Sequence, residues 1–513
     1  MAAPADLGAR ARTGMAWSLL NSASLRVLNV IAGLAIARVV APDEFGAFTA
    51  ALLVMTIVLS MNEIGLSVAI VRWKEGVERV APTAVTVSLA ASCFWFAAMF
   101  LGADPIAALL GAPQAADAIR VLSFSVLLDG VSTIPSSLLM RAFLQRRRTI
   151  AQLVGFLVGS PLGILLAVKH GAVGLATGIV ISNLIATAII LWLTPSLPRP
   201  GWDREAAVRL VRVGLPPALT SMLLLAIVNV DSVVVSRALG VGALGFYALA
   251  FNVANWPWNL LSISIRQVSL PAFSRLADDR EGLQSAFGHS LTLAGGLAVL
   301  GGVLLAALAT PLVGLLYGEK WLPAVIALQW LALLGALRVV LDLCYDLLVA
   351  VGRAGTLVRV QLVWLAALAA ALPLGARLGG IEGVAIAQSI VAAALVLPLN
   401  LMLLHGAGLR IAPLLRALQP VGIAAAVAAA TALAALQLDT PRWATLLGAG
   451  LPITLAYTAV FLAGRRGRAA LAWARPGSGA DLTQKKTSSS PKAESDSRIR
   501  PKRLIERLSQ PSA

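Results

Sequence analysis

The sequence predicts an all-α protein that crosses a membrane many times, and three observations lead to this fold class. Hydrophobic residues make up 58% of the 513 residues and charged residues only 13%, against roughly 45–50% and ~25% in soluble domains. The charges cluster between apolar runs of about 20 residues, the length of a helix that crosses hydrocarbon. The third observation is a long internal repeat. Together they predict about fourteen transmembrane helices.

The repeat pairs residues about 200 positions apart. Shifted by 199 positions, Arg38 falls on Arg237, Gly46 on Gly245, Phe48 on Tyr247 and Ala51 on Ala250. Further along, QRRRTIAQLVGF is echoed by GRAGTLVRVQLVW, and GAVGLATGIVIS by GGIEGVAIAQSI, at offsets of 207 to 209. A long-period repeat of this kind indicates a duplicated unit. We expect two six-helix lobes, related by a parallel internal repeat around a central cavity.

The apolar runs give each predicted helix in order. The spans are 15–40, 47–70, 82–102, 116–140, 150–168, 173–193, 210–237, 243–268, 287–316, 323–350, 357–376, 383–404, 417–437 and 443–463. With the amino terminus inside, the inner loops and flanks hold 24 Lys and Arg residues and the outer loops seven. Positive charge collects on the cytoplasmic side of membrane proteins. Both termini are therefore predicted to be cytoplasmic.

These spans divide the chain into six segments. Residues 1–14 form a cytoplasmic lead, 15–194 the first lobe, 195–209 a cytoplasmic linker and 210–404 the second lobe. Residues 405–464 supply two additional transmembrane helices outside the repeat, and 465–513 form a basic tail. The tail is rich in Ser, Lys and Arg, a composition typical of disorder.

Few ionisable side chains fall inside predicted spans, where each costs about 2.5–3.5 kcal/mol at a helix centre and therefore needs a partner or a wet cavity. They are Arg26, Glu63, Asp129 and Asp231, and in span 10 Arg338, Asp342 and Asp346. Steps of four residues keep the last three on one helix face. We predict that Arg26 and Arg338 bind an anionic substrate and that the five acids are candidates for ion coupling.

Structural alternatives remain open for these residues. Arg338 could form an intrahelical pair with Asp342, and Asp129 could be satisfied by the Ser-rich turn STIPSS. Glu63 and Asp231 could pair with neighbouring helices. Arg38 and Arg237, at the outer ends of spans 1 and 7, are interpreted as snorkelling anchors.

Other classes of site are not expected. Cys93 and Cys344 lie in apolar spans and suggest neither a disulfide framework nor a metal site. No metal, cofactor or catalytic group is predicted, and the chain has no phosphate-binding G-x-x-x-x-G-K-[ST] motif. The net charge of +17 would suit a nucleic-acid partner, but a basic excess on one face is what membrane orientation requires.

Three stretches carry a resemblance to a known family. They are DSVVVSRALGVGALGFYALA, SLPAFSRLADDREGL and LLYGEKWLPAVIALQWLAL, and the most specific pieces are YGEKW at 317–321 and the block from Asp231 to Tyr247. The sequence resembles the polysaccharide transporter branch of the multidrug/oligosaccharidyl-lipid/polysaccharide flippases, the Wzx-type oligosaccharide flippases. The resemblance covers about residues 10–465.

This resemblance implies a transporter rather than an enzyme. Its substrate would be an undecaprenyl-diphosphate-linked oligosaccharide, moved from the inner to the outer leaflet of the bacterial plasma membrane for capsule, exopolysaccharide or O-antigen-like glycans. The implied partners are membrane lipids and a polysaccharide polymerase or export machinery. The alternatives are a multidrug or cation antiporter of the related branch and a peptidoglycan lipid flippase.

Overall fold

The computed structural model describes residues 24–63, 65–73, 76–435 and 441–473. The predicted lead 1–14, the first part of span 1 and most of the predicted tail lie outside these residues. The described chain is helical throughout and contains no strand. This confirms the predicted all-α class.

The first eight helices run to the middle of the chain. They are α1 (24–39), α2 (Pro42–Glu63), α3 (Leu66–Arg72), α4 (Val77–Leu101), α5 (Ala103–Leu109), α6 (Ala116–Arg141), α7 (Gln145–Leu193) and α8 (Arg204–Leu239). A 3-10 turn, Pro113–Ala115, separates α5 from α6.

The remaining helices are α9 (Val241–Arg275), α10 (Arg280–Ala307), α11 (Ala309–Leu316), α12 (Val325–Ala350), α13 (Ala354–Val391), α14 (Leu397–Gly406), α15 (Ile411–Ala435), α16 (Arg442–Ala463) and α17 (Arg465–Trp473). A 3-10 segment, Glu319–Ala324, precedes α12, and a π-helical segment, Ala392–Val396, joins α13 to α14. Ten helical segments of the described chain are long and apolar enough to cross a membrane. The count of fourteen stays a prediction.

Two of these segments bend back at glycines. α7 is broken at Gly171, with φ 49° and ψ −126°, and α13 at Gly380, with φ 59° and ψ −138°. Positive φ favours glycine because it has no Cβ. Both breaks fall where the sequence places a loop between two spans. They also share one backbone conformation at positions that the predicted repeat pairs.

Several predicted boundaries are wrong at the inner ends of helices. α8 begins at Arg204, inside the predicted linker, because the Asp203 carboxylate accepts hydrogen bonds from the backbone N–H groups of Glu205 (2.9 Å) and Ala206 (3.3 Å). A carboxylate in this position caps a helix start. Likewise, residues 465–473 form α17, so the predicted disordered tail does not begin at 465.

The largest core cluster joins helices that the sequence assigns to different lobes. α2 packs against α9, and buried side chains of both helices, such as Phe48 and Tyr247, belong to this cluster. The crossing is very close. A Cβ at Gly46 would lie 1.9 Å from the Val241 carbonyl oxygen, and one at Gly245 would lie 2.1 Å from the Pro42 carbonyl oxygen. Glycines at both positions are therefore required for this contact.

The terminal helices α15 and α16 pack on the second lobe. α12 packs against α9 and α10, and α15 packs against α10 and α16. The buried Tyr457 of α16 donates a hydrogen bond of 2.7 Å to the Gly296 carbonyl oxygen of α10. The two additional spans are thus bound to the second lobe through α10.

Replacing Gly46 by Leu is expected to lower the melting temperature of the detergent-purified protein. The new side chain would overlap the α9 backbone, and overpacking of this kind costs typically about 1–3 kcal/mol. Gly422→Leu is the matched control, since a Cβ at Gly422 meets nothing within 4 Å. Equal melting temperatures for the two variants would contradict the role of the α2–α9 crossing.

Candidate functional site

A cavity of about 970 Å³ lies between helices that the sequence assigns to different lobes. α1, α2 and α7 form one wall, and α8 and α9 form the other. The wall contains the asparagines Asn29, Asn183, Asn229 and Asn252 and hydroxyl groups such as that of Ser232. Amides and hydroxyls both donate and accept hydrogen bonds. The wall therefore offers hydrogen-bonding groups beside a larger apolar surface.

Arg26 gives the cavity its charge. Among the described residues of the wall, it is the only charged side chain. It lies on α1 and is partly buried. A guanidinium group is planar and always charged, and it can form bidentate hydrogen bonds with phosphate oxygens. The structure thus places one of the two predicted anion-binding residues in the cavity.

Two asparagines of the wall were missed by sequence reasoning. Asn29 and Asn229 occupy positions 200 residues apart, and each Nδ2 donates to the carbonyl four residues earlier, at 2.7 Å to Leu25 and 2.8 Å to Leu225. An amide within one residue of the register of the predicted repeat, in both halves of the chain, was the signal available in the sequence. The two residues line opposite walls of the cavity.

Asp231 is fully buried beside the cavity, where it accepts several hydrogen bonds. Its carboxylate accepts from the Tyr247 hydroxyl (2.9 Å), the Gln388 amide (3.3 Å) and the Ser232 backbone N–H (2.7 Å). Gln388 comes from the returning arm of α13 and was also missed by sequence reasoning. Because Ser232 lines the cavity, the Asp231 cluster adjoins the cavity wall without facing into it.

Arg338 lies one layer behind the same wall. Its guanidinium carbon is 5.4 Å from the centre of the Phe251 ring, and Nη1 is 3.4 Å from Asn255 Oδ1. Phe251 lines the cavity, whereas Arg338 is not among the described lining residues. In this conformation Arg338 is therefore separated from the cavity by an aromatic ring.

The acids that follow Arg338 also contact α9. Asp342 accepts from Trp258 Nε1 at 2.9 Å, and Asp346 accepts from the Ser269 hydroxyl at 3.0 Å. All three span-10 residues thus share one face of α12, as their spacing predicts, and that face packs on α9. Arg338 and Asp342 bond to different residues of α9, Asn255 and Trp258, and the intrahelical pair stays a prediction.

The first lobe has a smaller polar cluster around Asp129. Its carboxylate accepts from Asn62 Nδ2 at 2.8 Å, and Asn62 Oδ1 accepts from the Ser92 hydroxyl at 3.1 Å. Asn62 and Ser92 are buried, while the neighbouring Glu63 is exposed. Neither acid is among the described residues that line the cavity.

The lobes are joined at the end that the sequence places outside. Arg38 Nε donates to the Leu316 carbonyl at 2.7 Å, and the same guanidinium also reaches the Leu315 carbonyl. Arg237 donates to the Leu109 carbonyl. Each arginine thus caps the last carbonyl groups of a short helix in the opposite half of the chain, α11 and α5 respectively. Unpaired carbonyls at a helix end are favourable partners for a cation.

Further hydrogen bonds accompany these two arginines. The Ser236 hydroxyl donates to the Leu110 carbonyl at 2.7 Å, and Trp321 Nε1 donates to the Ala37 carbonyl at 2.8 Å. We call Arg38, Arg237, Ser236 and Trp321 the outer latch. The interpretation of Arg38 and Arg237 as snorkelling anchors is incomplete, since their exposed guanidinium groups also bind protein carbonyls. The latch closes one end of the interface that contains the cavity.

Comparison with known proteins agrees with this architecture. The sequence model of the family described as polysaccharide biosynthesis protein matches residues 35–326, more than half of the chain. The chain belongs to this family. The matched region contains the cavity helices α2, α7, α8 and α9, so the family assignment covers most of the candidate site.

Individual relatives support a transport role in polysaccharide biosynthesis. The chain is 25% identical over 386 residues to the lipopolysaccharide biosynthesis protein WzxC of Escherichia coli (strain K12), covering 72% of this chain and 76% of WzxC. It is 26% identical over 318 residues to the succinoglycan biosynthesis transport protein ExoT of Rhizobium meliloti (strain 1021), covering 62% of this chain and 64% of ExoT. The resemblance to the Wzx-type flippases is confirmed.

A solved flippase structure has the same fold. The structure of the lipid II flippase MurJ in an inward closed conformation matches with a TM-score of 0.71 at 15% identity, covering 87% of this chain and 99% of that chain. This likeness shows the fold. The protein is therefore a multi-pass membrane protein with a flippase fold.

Replacing both Arg38 and Arg237 by Ala is expected to open the outer end of the interface. A cysteine at position 49, introduced as Thr49→Cys in a Cys93→Ser, Cys344→Ala background, would then react several-fold faster with a membrane-impermeant maleimide added from outside. Thr49 lines the cavity, so its accessibility reports on closure.

Arg120→Ala is the matched control. Arg120 bonds to Asp104 and Asp117 within the first half of the chain and not across the interface. Labelling that rises equally in the control and in the latch variant would show that the latch does not hold the interface closed.

Proposed function

We propose that this protein is a flippase that moves an undecaprenyl-diphosphate-linked oligosaccharide from the inner to the outer leaflet of the bacterial plasma membrane, for assembly into a cell-surface polysaccharide. The observation that carries the proposal is the charge of the cavity. In the described wall a single arginine stands among neutral amides, hydroxyls and many apolar side chains; the guanidinium suits a diphosphate, and the amides and hydroxyls suit the attached sugars.

A carrier of such a substrate needs a cavity within the membrane, because the substrate has a polar headgroup and an apolar tail. A saccharide-diphosphate headgroup cannot cross about 30 Å of hydrocarbon unaided, whereas its polyprenyl tail can remain in the lipid. The cavity volume of about 970 Å³ is at the upper end of the range of ~300–1,000 Å³ typical of small-molecule sites. In our proposal the headgroup occupies the cavity and the tail stays in the bilayer.

Two conformations are required for net transport. In this structure the lobes are joined at the predicted outer end by the outer latch and by the α2–α9 crossing. We propose that the headgroup enters from the cytoplasmic side in this state. It would leave after the latch separates and the opposite end closes. The expected partners on the outer side are a polysaccharide polymerase or export machinery.

Asp231 is the favoured candidate for coupling to an ion gradient. It is fully buried and borders the cavity through Ser232. Its other hydrogen-bond donors, Tyr247 and Gln388, come from α9 and α13. Binding of a proton or cation there would change the hydrogen bonds between three helices. The partners of Asp129, Asp342 and Asp346, which are Asn62, Trp258 and Ser269, are not among the described lining residues, and Glu63 is exposed. They stay weaker candidates.

A multidrug or cation antiporter of the related branch is the second candidate function. Such a carrier would be expected to bind cations in an acidic cavity, whereas the described wall of this cavity contains Arg26 and no acid. A peptidoglycan lipid flippase would share the diphosphate chemistry, so the cavity charge does not separate it from the favoured proposal. Identification of the accumulated glycan distinguishes these two.

Depletion of the protein in its native host tests the proposed function. Lipid-linked oligosaccharide is expected to accumulate on the inner leaflet, where a membrane-impermeant glycan label reaches it only after cells are permeabilised. Unchanged lipid-linked pools, together with altered sensitivity to cationic compounds, would instead support drug export.

Arg26→Ala is expected to reduce transport by about 10- to 100-fold while folded protein remains in the membrane. A charge-assisted hydrogen bond contributes about 1.5–3 kcal/mol, which corresponds to this range. Transport is measured with the same glycan label in depleted cells that express the variant. Arg120→Ala, outside the cavity, is the matched control. Normal transport by Arg26→Ala at equal expression would remove Arg26 from the site.

Asp231→Asn is expected to abolish the dependence of transport on the ion gradient. The amide keeps the size of the side chain but can neither carry a negative charge nor exchange a proton. Transport would be measured in proteoliposomes with and without an imposed gradient. Asp117→Asn, which alters an exposed ion pair, is the control. A gradient response equal to that of the unaltered protein would exclude Asp231 as the coupling group.

A further inference from the structure

A second cavity, of about 720 Å³, lies away from the central one, between α10, α15, α17 and the loop that joins α14 to α15. Every segment around it belongs to the inner ends of helices in the predicted topology. The cavity therefore faces the region where lipid headgroups meet the cytoplasm. The cavity lies where the additional spans, through α15 and α17, meet α10 of the second lobe.

Hydrogen bonds between the segments hold this cavity in shape. Gln284 of α10 makes two bonds with the backbone of Arg410, donating to its carbonyl at 3.2 Å and accepting from its N–H at 2.7 Å. On the same cavity wall, the buried Thr292 hydroxyl donates to the Ala417 carbonyl of α15 at 3.0 Å. Arg466 of α17 donates to the Arg416 carbonyl. Each connection joins two different segments, so the cavity is part of the tertiary structure.

The loop backbone is also fitted to Arg280. Gly408 has φ 94°, and a Cβ at this position would lie 3.1 Å from Arg280 Nη1. The guanidinium of Arg280 thus packs against the loop at a residue whose backbone conformation favours glycine. This contact brings Arg280 and Arg410 to the same cavity from different segments.

The cavity is strongly basic. Its described lining includes Arg280, Arg410 and Arg466, with His289, against one acid, Glu281. No described residue accepts a hydrogen bond from the side chain of Arg280 or Arg410. Each guanidinium has five N–H donors, so most of the donors around the cavity are available to a ligand. Such a site attracts an anion with several acceptor oxygens, above all a phosphate.

We propose that this cavity binds the phosphate headgroup of an anionic phospholipid of the inner leaflet. Basic cavities between transmembrane helices at the cytoplasmic surface bind such headgroups. The apolar side chains of Pro413 and Leu414 line the cavity beside the arginines, which suits the junction of a headgroup with its acyl chains. The bound lipid bridges α10, α15 and α17 and fastens the additional spans to the second lobe. This inference does not depend on the transported substrate.

The test measures lipid binding to the full-length purified protein. Phosphatidylglycerol is expected to raise its melting temperature by several degrees, whereas phosphatidylcholine is not. The triple variant Arg280→Gln, Arg410→Gln, Arg466→Gln should bind phosphatidylglycerol about 100-fold more weakly, since each basic side chain near a membrane surface adds about 1 kcal/mol to anionic-lipid binding.

The control triple variant Arg204→Gln, Arg212→Gln, Arg359→Gln removes the same charge from the predicted cytoplasmic side, outside the cavity. It should retain the phosphatidylglycerol effect. Equal losses in the two triple variants would overturn the proposal in favour of unspecific electrostatics. Stabilisation by inorganic phosphate or glycerol 3-phosphate without any effect of phosphatidylglycerol would overturn it in favour of a soluble anion.

A measurement on the unaltered protein covers the case in which the triple variant fails to fold. Phosphatidylglycerol with a photoactivatable headgroup should label peptides that contain residues 280–292 and 406–417. Labelling confined to other peptides would overturn the proposal.

Discussion

The close crossing of α2 and α9 is the constraint on which the rest of the structure depends. Gly46 and Gly245 bring the two backbones into direct contact, and in a membrane such contacts replace the hydrophobic force that holds soluble helices together. The crossing brings the two halves of the chain together near their predicted outer ends. The residues below it then surround the cavity, while the arginines at the ends of α1 and α8 reach the short helices of the opposite half. The crossing and the outer latch thus join the two halves at the same end.

The ionisable groups that the sequence places inside spans differ in the partners that the structure gives them. Asp342 and Asp346 are satisfied by donors on α9, and Asp129 is satisfied by Asn62. Asp231 has three donors from three separate positions in the chain, and its position beside the cavity wall makes it sensitive to any movement of those helices. Arg26 differs from all of them because its charge belongs to the cavity wall itself. A charged group at membrane depth is expensive unless it pairs or faces water, and Arg26 lies partly buried in the wall of a cavity rather than in hydrocarbon.

The terminal helices lie outside the repeated part of the chain and pack against it. α15 and α16 pack on the second lobe through α10, and α17 follows directly at the predicted membrane surface. Three separate segments contribute arginines to the second cavity, which lies where these helices meet the lobe. An anionic headgroup in that cavity would reduce the repulsion between the arginines. The additional spans would then be held by a lipid as well as by packing.

The sequence by itself determined the helical class, because apolar length and local charge pattern depend only on neighbours in the chain, and three short stretches of it were enough to indicate the family. It also identified the repeat positions Arg38 and Arg237 but not what they contact, since their partners lie 277 to 278 and 128 residues away. Only the tertiary structure decided that Arg26 lines the cavity while Arg338 lies behind Phe251, that Gln388 joins Asp231, and that Arg280, Arg410 and Arg466 converge. The physical reason is that these side chains come together through helix packing between distant segments, which no local pattern records.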